Sequence, residues 1–537
     1  MAAETFDFVV VGAGSAGCVI ASRLSEDGRY TVLLLEAGPE DKSMWIHMPL
    51  GYAQVFSDPK INWMLESEPE PELQDRKMYQ PRGKVLGGTG SINGMVYVRG
   101  NKADYDGWKA GGCQGWGWDD VLPYFKRAED YEGGATAYHG TGGPLKVSSG
   151  PRDHPLAEAM IEAARAEGMS YNSDFNGASQ DGVGYYDFNI HRGRRWSSAA
   201  GYLRRARGRR NIKVLTDAHV ARLVIENGRA TSVQYIHHGQ HKTAVIGKEL
   251  ILSAGVYGSP QLLQLAGVGN PDALRAVGIE PRHALNHVGQ NLQDHFYSQL
   301  MFRCTRPITV NDFARSIPRK AAALAQYLAF GKGILTATHL YSGGFTRTSD
   351  DQPKPDIQFN LAAWSVAERT ASGAKPHPFS GFSINPIHLN PDARGQVMVT
   401  SPDPKAPPSI RFNYLRTEYD IRSMIFGVRL VRRLTAHRAL ADFIAEEIQP
   451  GLKVASEEEI VDFLRAKAVS NLHAVGSCRM GSSPDTSVVD PRLRVHGIGN
   501  MRVIDGSIMP RIVTGNTNAA TVMIAEKGAA MVLDDSR

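Results

Sequence analysis

Cysteine is scarce in this sequence. Its four residues, Cys18, Cys113, Cys304 and Cys478, lie far apart among 537 positions. Because no two of them form a Cys-x-x-Cys pair, the sequence predicts neither a zinc site nor a redox dithiol, and we assign no metal ligand. Isolated thiols of this kind are typical of proteins from a reducing compartment.

Long apolar runs and strong charge are also lacking. The sequence has no run of about 18 apolar residues, the length that could span a bilayer, and no basic N-terminal segment followed by an apolar stretch. We therefore expect a cytoplasmic chain that is not secreted. Lys320–Phe330 leaves peripheral association with the inner membrane open, although such a segment is more often a buried helix. A net charge of +5 without a basic run argues against nucleic acid as a partner.

Glycine, in contrast, is abundant, with 55 residues. Its first cluster, Gly12, Gly14 and Gly17, follows the apolar strand Phe8–Val11. The first glycine permits a tight turn, and the second lets the backbone approach a pyrophosphate. The third allows the following helix to pack closely on the strand. This order is typical of a dinucleotide-binding turn.

The residues after this turn support the same interpretation. Ser15 and Ala16 begin the predicted helix, where unpaired N–H groups favour phosphates. A second apolar strand, Thr31–Leu35, leads to Glu36, which lies 19 residues after Gly17. A carboxylate there can accept hydrogen bonds from ribose hydroxyls and disfavours the 2′-phosphate of NADP. The motif alone does not distinguish NAD from FAD.

A second glycine-rich stretch spans residues 82–100, R-G-K-V-L-G-G-T-G-S-I-N-G-M-V-Y-V-R-G. Gly87 and Gly88 begin a loop with almost no side chains, whose backbone can press against a flat or anionic cofactor. Asn93 ends that loop with amide donors and an acceptor. The stretch closely resembles a signature of the glucose–methanol–choline oxidoreductases, a family of FAD enzymes. The resemblance implies FAD as the cofactor.

Further matches to this family continue along the chain. Residues 253–269 resemble its second signature. Another family-like stretch ends in Asp294 and His295, which we expect to be a structural polar pair. Within the family, residues 171–180 and 489–497 resemble bacterial dehydrogenases that act on sorbose, choline and polyethylene glycol.

The resemblance also implies a catalytic pair near the C-terminus. His473, within residues 471–481, matches the family's base, and Asn518, within residues 515–521, matches its second active-site position. Oxidation of an alcohol carbon removes a proton from oxygen and a hydride from carbon, and histidine accepts protons near neutral pH. An adjacent amide can orient the substrate oxygen and stabilise its developing negative charge.

The motifs and the family match together predict the residues that contact FAD. They are Gly12, Gly14, Ser15, Ala16, Gly17, Glu36, Ala37, Val85, Gly87, Gly88, Asn93, Gly94, Met95, Val96, Val220, Ala254, Asp505, Gly506, Asn516 and Thr517. Some family members attach FAD covalently through a histidine just before the position of Asn93. Ile92 occupies that position here, so we expect non-covalent FAD.

We predict an α/β protein, α+β overall, with a Rossmann-like FAD-binding domain and a substrate domain built on an antiparallel sheet. The scattered cofactor motifs imply a discontinuous FAD domain, and the segments between them form a substrate-binding or cap domain. The predicted FAD domain comprises residues 1–45, 78–100, 205–300 and 466–537, and the cap comprises 46–77, 101–204 and 301–465. Pro355–Asn360 and Gly395–Thr400 are predicted strands of the sheet that covers the flavin.

The expected activity is oxidation of a polyol, sugar or small primary alcohol to an aldehyde or ketone. The expected electron acceptor is a quinone, a cytochrome or another non-oxygen acceptor. Three alternatives stay open: an oxidase that uses oxygen, a flavin-containing lyase without net redox chemistry, and a nucleotide-binding protein without catalysis. The motifs determine neither the alcohol nor the oligomeric state.

Overall fold

The computed structural model describes residues 4–370 and 373–537. The predicted FAD segment 1–45 and the predicted cap segment 301–465 thus include residues, 1–3 and 371–372, that lie outside the described part. Two large sheets dominate the described residues. We call them the nucleotide sheet and the roof sheet.

The nucleotide sheet has a parallel core and an antiparallel extension. In spatial order, the parallel strands are Ile212–Leu215, Val32–Leu35, Glu4–Val11, Gln240–Leu252 and Met501–Val503. Arg229–His237 and Ala218–Glu226 extend the sheet beside Gln240–Leu252 as antiparallel strands. Both faces of the parallel core are covered by other parts of the chain. This explains why Phe8–Val11 and Val32–Leu35 are apolar and buried.

Helices begin where the parallel strands end. Ser15–Leu24 follows the first strand, and Gly255–Leu265 follows Gln240–Leu252. Because parallel strands bring their carboxyl ends to one edge, the N-termini of these two helices lie at that same edge. The C-terminal helix Thr517–Asp535 packs against Ser15–Leu24. Other helices include Lys102–Ala110, Trp118–Ala128, Ile317–Phe330 and Glu457–Lys467.

The roof sheet is antiparallel. Its strands, in spatial order, are Ile444–Gln449, Leu300–Cys304, Gly381–His388, Ile357–Ala362, Leu340–Thr346 and Gly182–Tyr185. The helices Pro155–Ala166 and Glu418–Ala436 pack on one face. Alternate side chains on the other face, including Asn360 and Asn385, line a cavity above the nucleotide sheet.

The predicted architecture is confirmed, with two local corrections. The predicted strand Pro355–Asn360 is the central roof strand Ile357–Ala362. The other predicted roof strand, Gly395–Thr400, was wrongly assigned, because Gly395–Met398 pairs with Gln290–Leu292 and Ser409–Arg411 in a separate small sheet. Its alternating sequence is equally compatible with either sheet.

The second correction concerns the segment that we expected to be a buried helix. Ile317–Phe330 is helical, but Ala323 is its buried residue, and most of the others are exposed. Among residues 4–370 and 373–537, the helices are each too short or too polar to cross a bilayer.

The domain division stays a prediction, although sheet membership bears on its boundaries. Phe296–Tyr297, which we assigned to the FAD domain, pairs with roof strand Gly381–His388 and with Val469–Ser470. Val96–Tyr97 pairs with Asp187–Phe188 of the predicted cap. Residues near 96 and 296 therefore connect the two predicted domains.

Candidate active site

A cavity of about 940 Å³ extends from the first glycine turn to the loop that carries His473. It brings together most of the predicted site residues, from all the scattered motifs. Those that line it are Gly12, Gly14, Ser15, Ala16, Glu36, Ala37, Gly88, Asn93, Gly94, Met95, Val96, Val220, Ala254, His473, Asp505, Gly506, Asn516, Thr517 and Asn518. Gly17, Val85 and Gly87 lie behind this lining.

Two of the residues behind the lining support the glycine loops. A Cβ at Gly17 would lie 1.8 Å from the Gly12 carbonyl oxygen, so helix and turn touch through bare backbone. The Gly87 N–H donates to the Ala13 carbonyl over 2.7 Å, which ties the second loop to the first. Val85, in contrast, belongs to an apolar cluster with Ile46 and other core side chains.

The contact between the two loops leaves room only for glycine. A Cβ at Gly88 would lie 2.6 Å from the Gly14 Cα. Gly12 and Gly88 also adopt positive φ angles, +93° and +53°, which favour glycine. The result is a cradle of backbone N–H groups at the helix N-terminus, as binding of a pyrophosphate requires.

Glu36 borders this cradle. Its two carboxylate oxygens accept hydrogen bonds from the Ala13 and Gly38 N–H groups, each over 2.9 Å. Burial raises the pKa of Glu36 to about 7, although these hydrogen bonds oppose the shift. Each oxygen keeps a second lone pair, so the carboxylate can still accept from ribose hydroxyls.

Asp505 lines the cavity, but its hydrogen bonds organise the surrounding loops. One oxygen accepts from the Gly255 N–H over 2.9 Å and from the Ser259 hydroxyl over 2.6 Å, and the other accepts from the Ser507 N–H. Burial raises its pKa. Asp505 thus joins the start of helix Gly255–Leu265 to the segment after strand Met501–Val503.

Arg195 is a buried cation that we did not predict from the sequence. Its guanidinium donates to the Asn93 side-chain oxygen over 2.8 Å and to the Ile46 carbonyl over 2.7 Å. Burial lowers the pKa of Arg195 to about 9. It fixes the side chain at the end of the second glycine loop, so the orientation of Asn93 depends on a residue about a hundred positions away.

Two asparagines at the start of the C-terminal helix have different partners. The Asn516 side-chain nitrogen lies 3.0 Å from His473 Nε2, whereas the Asn518 side-chain oxygen accepts from the Ser15 hydroxyl over 2.7 Å. The structure therefore gives Asn516 the place beside His473 that we predicted for Asn518. A catalytic role for Asn518 remains a prediction, and its contact connects it to the first glycine turn.

His473 is enclosed and lies close to a positive charge. The Arg82 guanidinium donates to the carbonyl of the preceding residue, Leu472, over 2.8 Å. Burial, followed by the Arg82 charge, lowers the pKa of His473 to about 3. The imidazole is therefore neutral near neutral pH, which leaves it able to accept a proton.

Asp294 and His295, which we expected to be a structural polar pair, also contact the His473 segment. Asp294 accepts from the His473 backbone N–H over 2.6 Å and from the Tyr414 hydroxyl over 2.6 Å. His295 Nδ1 lies 2.9 Å from His473 Nδ1. The motif was visible in the sequence, but its contact with residues nearly 180 positions away was not.

The roof sheet supplies further cavity residues that we did not predict. Asn360 and Asn385 are directly paired across neighbouring strands, and both line the cavity. The Asn385 side-chain oxygen is buried and has no hydrogen-bond partner among the described residues. The Asn360 oxygen accepts from the Tyr186 hydroxyl over 2.5 Å. Trp364 completes this part of the lining, and its indole N–H is likewise buried with no hydrogen-bond partner among the described residues.

The cavity fits an elongated dinucleotide that carries a flat ring. One end offers glycine backbone and Glu36, as a pyrophosphate and ribose require, and the other end offers Asn93, His473 and Asn516 around open space. A side chain at Gly88 would close the cradle. The residues present therefore fit FAD, and Ile92 has no nucleophilic atom that could bond to it covalently.

Comparison with known proteins agrees with this fit. The family model described as GMC oxidoreductase matches residues 6–297 and 391–525. Choline dehydrogenase, mitochondrial, from Mus musculus is 43% identical over 537 residues, covering 98% of this chain and 89% of the mouse protein. Alcohol dehydrogenase [acceptor] from Pseudomonas putida is 41% identical, covering 98% of this chain and 96% of that protein.

Solved structures share the whole fold. Pyridoxine 4-oxidase from Mesorbium loti is 30% identical with a TM-score of 0.88, and 98% of each chain is covered. A formate oxidase from Aspergillus oryzae RIB40, studied for modification of its FAD, is 26% identical with a TM-score of 0.93, covering 99% of this chain and 98% of the other. The chain is a member of the GMC oxidoreductase family, an oxidoreductase with non-covalently bound FAD.

Proposed function

We propose that this protein oxidises a neutral, hydroxylated alcohol to an aldehyde or ketone, with His473 as the base. The observation that carries the proposal is the position of His473 in the cavity, where its Nε2 lies 3.0 Å from the Asn516 side-chain nitrogen. FAD, when bound, supplies the hydride acceptor. Among the protein groups, the Asn516 amide turns from Nε2 to the substrate oxygen and donates to it as negative charge develops there, and the Nε2 lone pair that this frees takes the hydroxyl proton.

The roof sheet supports a neutral substrate with a second hydroxyl group. The buried Asn385 oxygen requires a donor, and a hydroxyl group can provide one. The trimethylammonium group of choline has no N–H or O–H and therefore cannot donate a conventional hydrogen bond to this oxygen. Polyols, sugars and diols are therefore favoured over choline, although relatives named choline dehydrogenase are similar to this chain.

Anaerobic flavin bleaching with matched substrates tests this preference. We expect a diol or polyol to bleach the flavin at lower concentration than choline does. Asn385→Ala should raise the apparent dissociation constant of the diol about 10-fold, because a hydrogen bond is lost. Ser383→Ala, at the next cavity-facing position of the strand, is the control. Tighter binding of choline, or equal effects of the two variants, would contradict the proposal.

We propose a quinone, a cytochrome or a similar non-oxygen compound as the electron acceptor. The similarity to a protein named alcohol dehydrogenase [acceptor] supports this choice, but relatives named oxygen-dependent choline dehydrogenase keep an oxidase open. Turnover with a dye acceptor under argon, with little oxygen consumption in air, is the expected result. Stoichiometric oxygen uptake would establish the oxidase instead. A flavin that no alcohol bleaches would favour the lyase.

We further propose that helix Ile317–Phe330 docks on an anionic membrane surface. Ile317, Leu328 and Phe330 are 76%, 69% and 74% exposed, which is unusual for large apolar side chains. The segment 313–349 contains no Asp or Glu, whereas Arg319 and Lys320 lie on the helix. Exposed apolar groups beside basic ones are typical of helices that lie in the headgroup region.

Docking through this helix would bring the active site close to the membrane, where a lipid-soluble electron acceptor is found. The chain continues from its end to His339 and Leu340, which line the cavity. A lipid-soluble acceptor would thus reach the protein near the active site. In co-sedimentation, vesicles containing phosphatidylglycerol should retain the protein more than phosphatidylcholine vesicles do, and Leu328→Glu with Phe330→Glu should abolish retention. Equal retention by both vesicles, or self-association that these substitutions remove, would refute lipid docking.

A further inference from the structure

The contacts of His295 determine which of its nitrogens carries a proton. Its Nε2 lies 3.1 Å from the Leu389 carbonyl oxygen, which can only accept, so this nitrogen is the N–H donor. The ring is completely buried, and burial, followed by the neighbouring His473, lowers its pKa well below the usual value. A neutral ring with a proton on Nε2 presents a lone pair at Nδ1.

That lone pair fixes the protonation of His473. The two Nδ1 atoms are 2.9 Å apart, and two lone pairs at that distance would repel each other. His473 Nδ1 must therefore carry the proton and donate it to His295. The Asn471 side-chain nitrogen lies 3.2 Å from the same Nδ1. A half-turn of this amide exchanges its nitrogen and oxygen and makes the oxygen a second acceptor for the N–H.

The opposite nitrogen of His473 is then free of a proton. Its Nε2 faces the Asn516 side-chain nitrogen, an N–H donor at 3.0 Å, which agrees with a lone pair at this position. The same Nε2 points into the cavity that the alcohol would enter. The contacts of His295 with Leu389, of His295 with His473, and of His473 with Asn516 thus give one consistent assignment of the protons.

We propose that His295 is a positioning residue that holds His473 in the tautomer with an unprotonated Nε2. Without its Nδ1 acceptor, His473 could place its proton on Nε2 and would have no base to offer the alcohol. When the alcohol reacts, its hydroxyl proton goes to Nε2, while the Nδ1 proton stays in the bond to His295. The kinetic consequence rests on the proposed alcohol oxidation, but the tautomer itself does not.

Other charged groups around the pair do not provide this acceptor. Arg82 contributes positive charge near His473, while His388 and Lys354 act on His295 electrostatically. Asp294 accepts from the His473 backbone N–H, not from its ring. Asn471 can accept from the same N–H only after a half-turn of its amide, so the contact between the two rings is what distinguishes the two tautomers of the base.

Two substitutions separate positioning from a merely structural role. His295→Leu removes the acceptor, whereas His295→Asn offers its side-chain oxygen near the position of Nδ1. We expect His295→Leu to slow anaerobic flavin reduction roughly 10²- to 10⁴-fold, the scale on which a catalytic histidine loses activity in the wrong tautomer. Alcohol affinity and FAD content should change little. His295→Asn should restore most of the rate.

The ¹⁵N NMR spectrum of the holoprotein with ¹⁵N-labelled histidine reports the tautomer of His473 and requires no turnover. The signals of His473 are assigned by their loss in His473→Gln. We expect a protonated Nδ1 and an unprotonated Nε2 in the wild type and in His295→Asn, and a proton on Nε2 in His295→Leu. A protonated Nε2 in the wild type, or unchanged reduction by His295→Leu, would overturn the inference. If no alcohol reduces the wild-type flavin, the proposed function fails, and the NMR result still decides the tautomer.

Discussion

The two asparagines at the start of the C-terminal helix give a sharp prediction, because they are two residues apart and have different partners. Asn516 contacts the His473 ring, and Asn518 contacts the Ser15 hydroxyl. Under the proposed mechanism, Asn516→Ala removes a donor to the substrate oxygen as that oxygen becomes negative. Loss of one such donor slows other enzymes about 10²- to 10³-fold, or roughly 3–4 kcal/mol of transition-state stabilisation. Asn518→Ala breaks one hydrogen bond near the glycine turn and should weaken FAD binding about 10-fold.

The assay is anaerobic stopped-flow reduction of the bound flavin, combined with measurement of FAD content. We expect Asn516→Ala to retain FAD and lose the limiting reduction rate. Asn518→Ala, saturated with FAD, should keep that rate within a few-fold. If Asn518→Ala is the slower variant when fully loaded, the contact between Asn516 and His473 does not describe the reacting enzyme, and Asn518 is the catalytic amide after all.

Three further predictions concern the cofactor cradle and stability. Gly17→Ala should yield protein that lacks FAD, because its Cβ would lie 1.8 Å from a backbone oxygen, whereas Gly107→Ala, with open space around it, should bind FAD normally. Acid precipitation should release all the flavin into the supernatant, since Ile92 cannot form a covalent bond. Burial opposes protonation of His139, but hydrogen bonds to two carboxylates raise its pKa to about 9. Its stabilisation, up to about 3 kcal/mol, is therefore complete below pH 6.5 and lost as the pH rises towards 9, so the wild-type thermal midpoint should fall over that range while that of His139→Gln stays nearly constant.

The nucleotide-binding elements could be predicted because their function restricts the local sequence. At Gly12, Gly14 and Gly17, turn geometry, close approach and helix packing each exclude a side chain, so the glycines reveal the backbone path. The position of Glu36 could be predicted from its spacing after these glycines, because both belong to one strand-helix-strand unit. Such constraints act within a unit of about 30 residues, in which residues that are near one another in the sequence are also near one another in space.

The environment of His473 could not be predicted in the same way, because distant segments build it. His295 lies just before strand Phe296–Tyr297, and Asn385 lies on strand Gly381–His388, so their positions depend on how the roof sheet is paired. The choice between Asn516 and Asn518 depends on the backbone at the helix start, where Asn516 is extended and Asn518 lies within the first turn. The prediction that Gly395–Met398 belongs to the roof sheet was wrong for a related reason. Alternation of apolar and polar residues predicts a strand but not the strand with which it pairs.

The central claim is that His473 accepts the alcohol proton while FAD is held independently of it. The most direct measurement is anaerobic bleaching of the bound flavin by sorbose, choline, glycol ethers and aryl alcohols in the wild type and in His473→Ala. We predict bleaching of the wild type by at least one neutral alcohol, and a yellow variant with full FAD content that the same alcohol does not bleach. Bleaching of the variant at the wild-type rate, or loss of FAD from it, would contradict the assignment of His473 as the base.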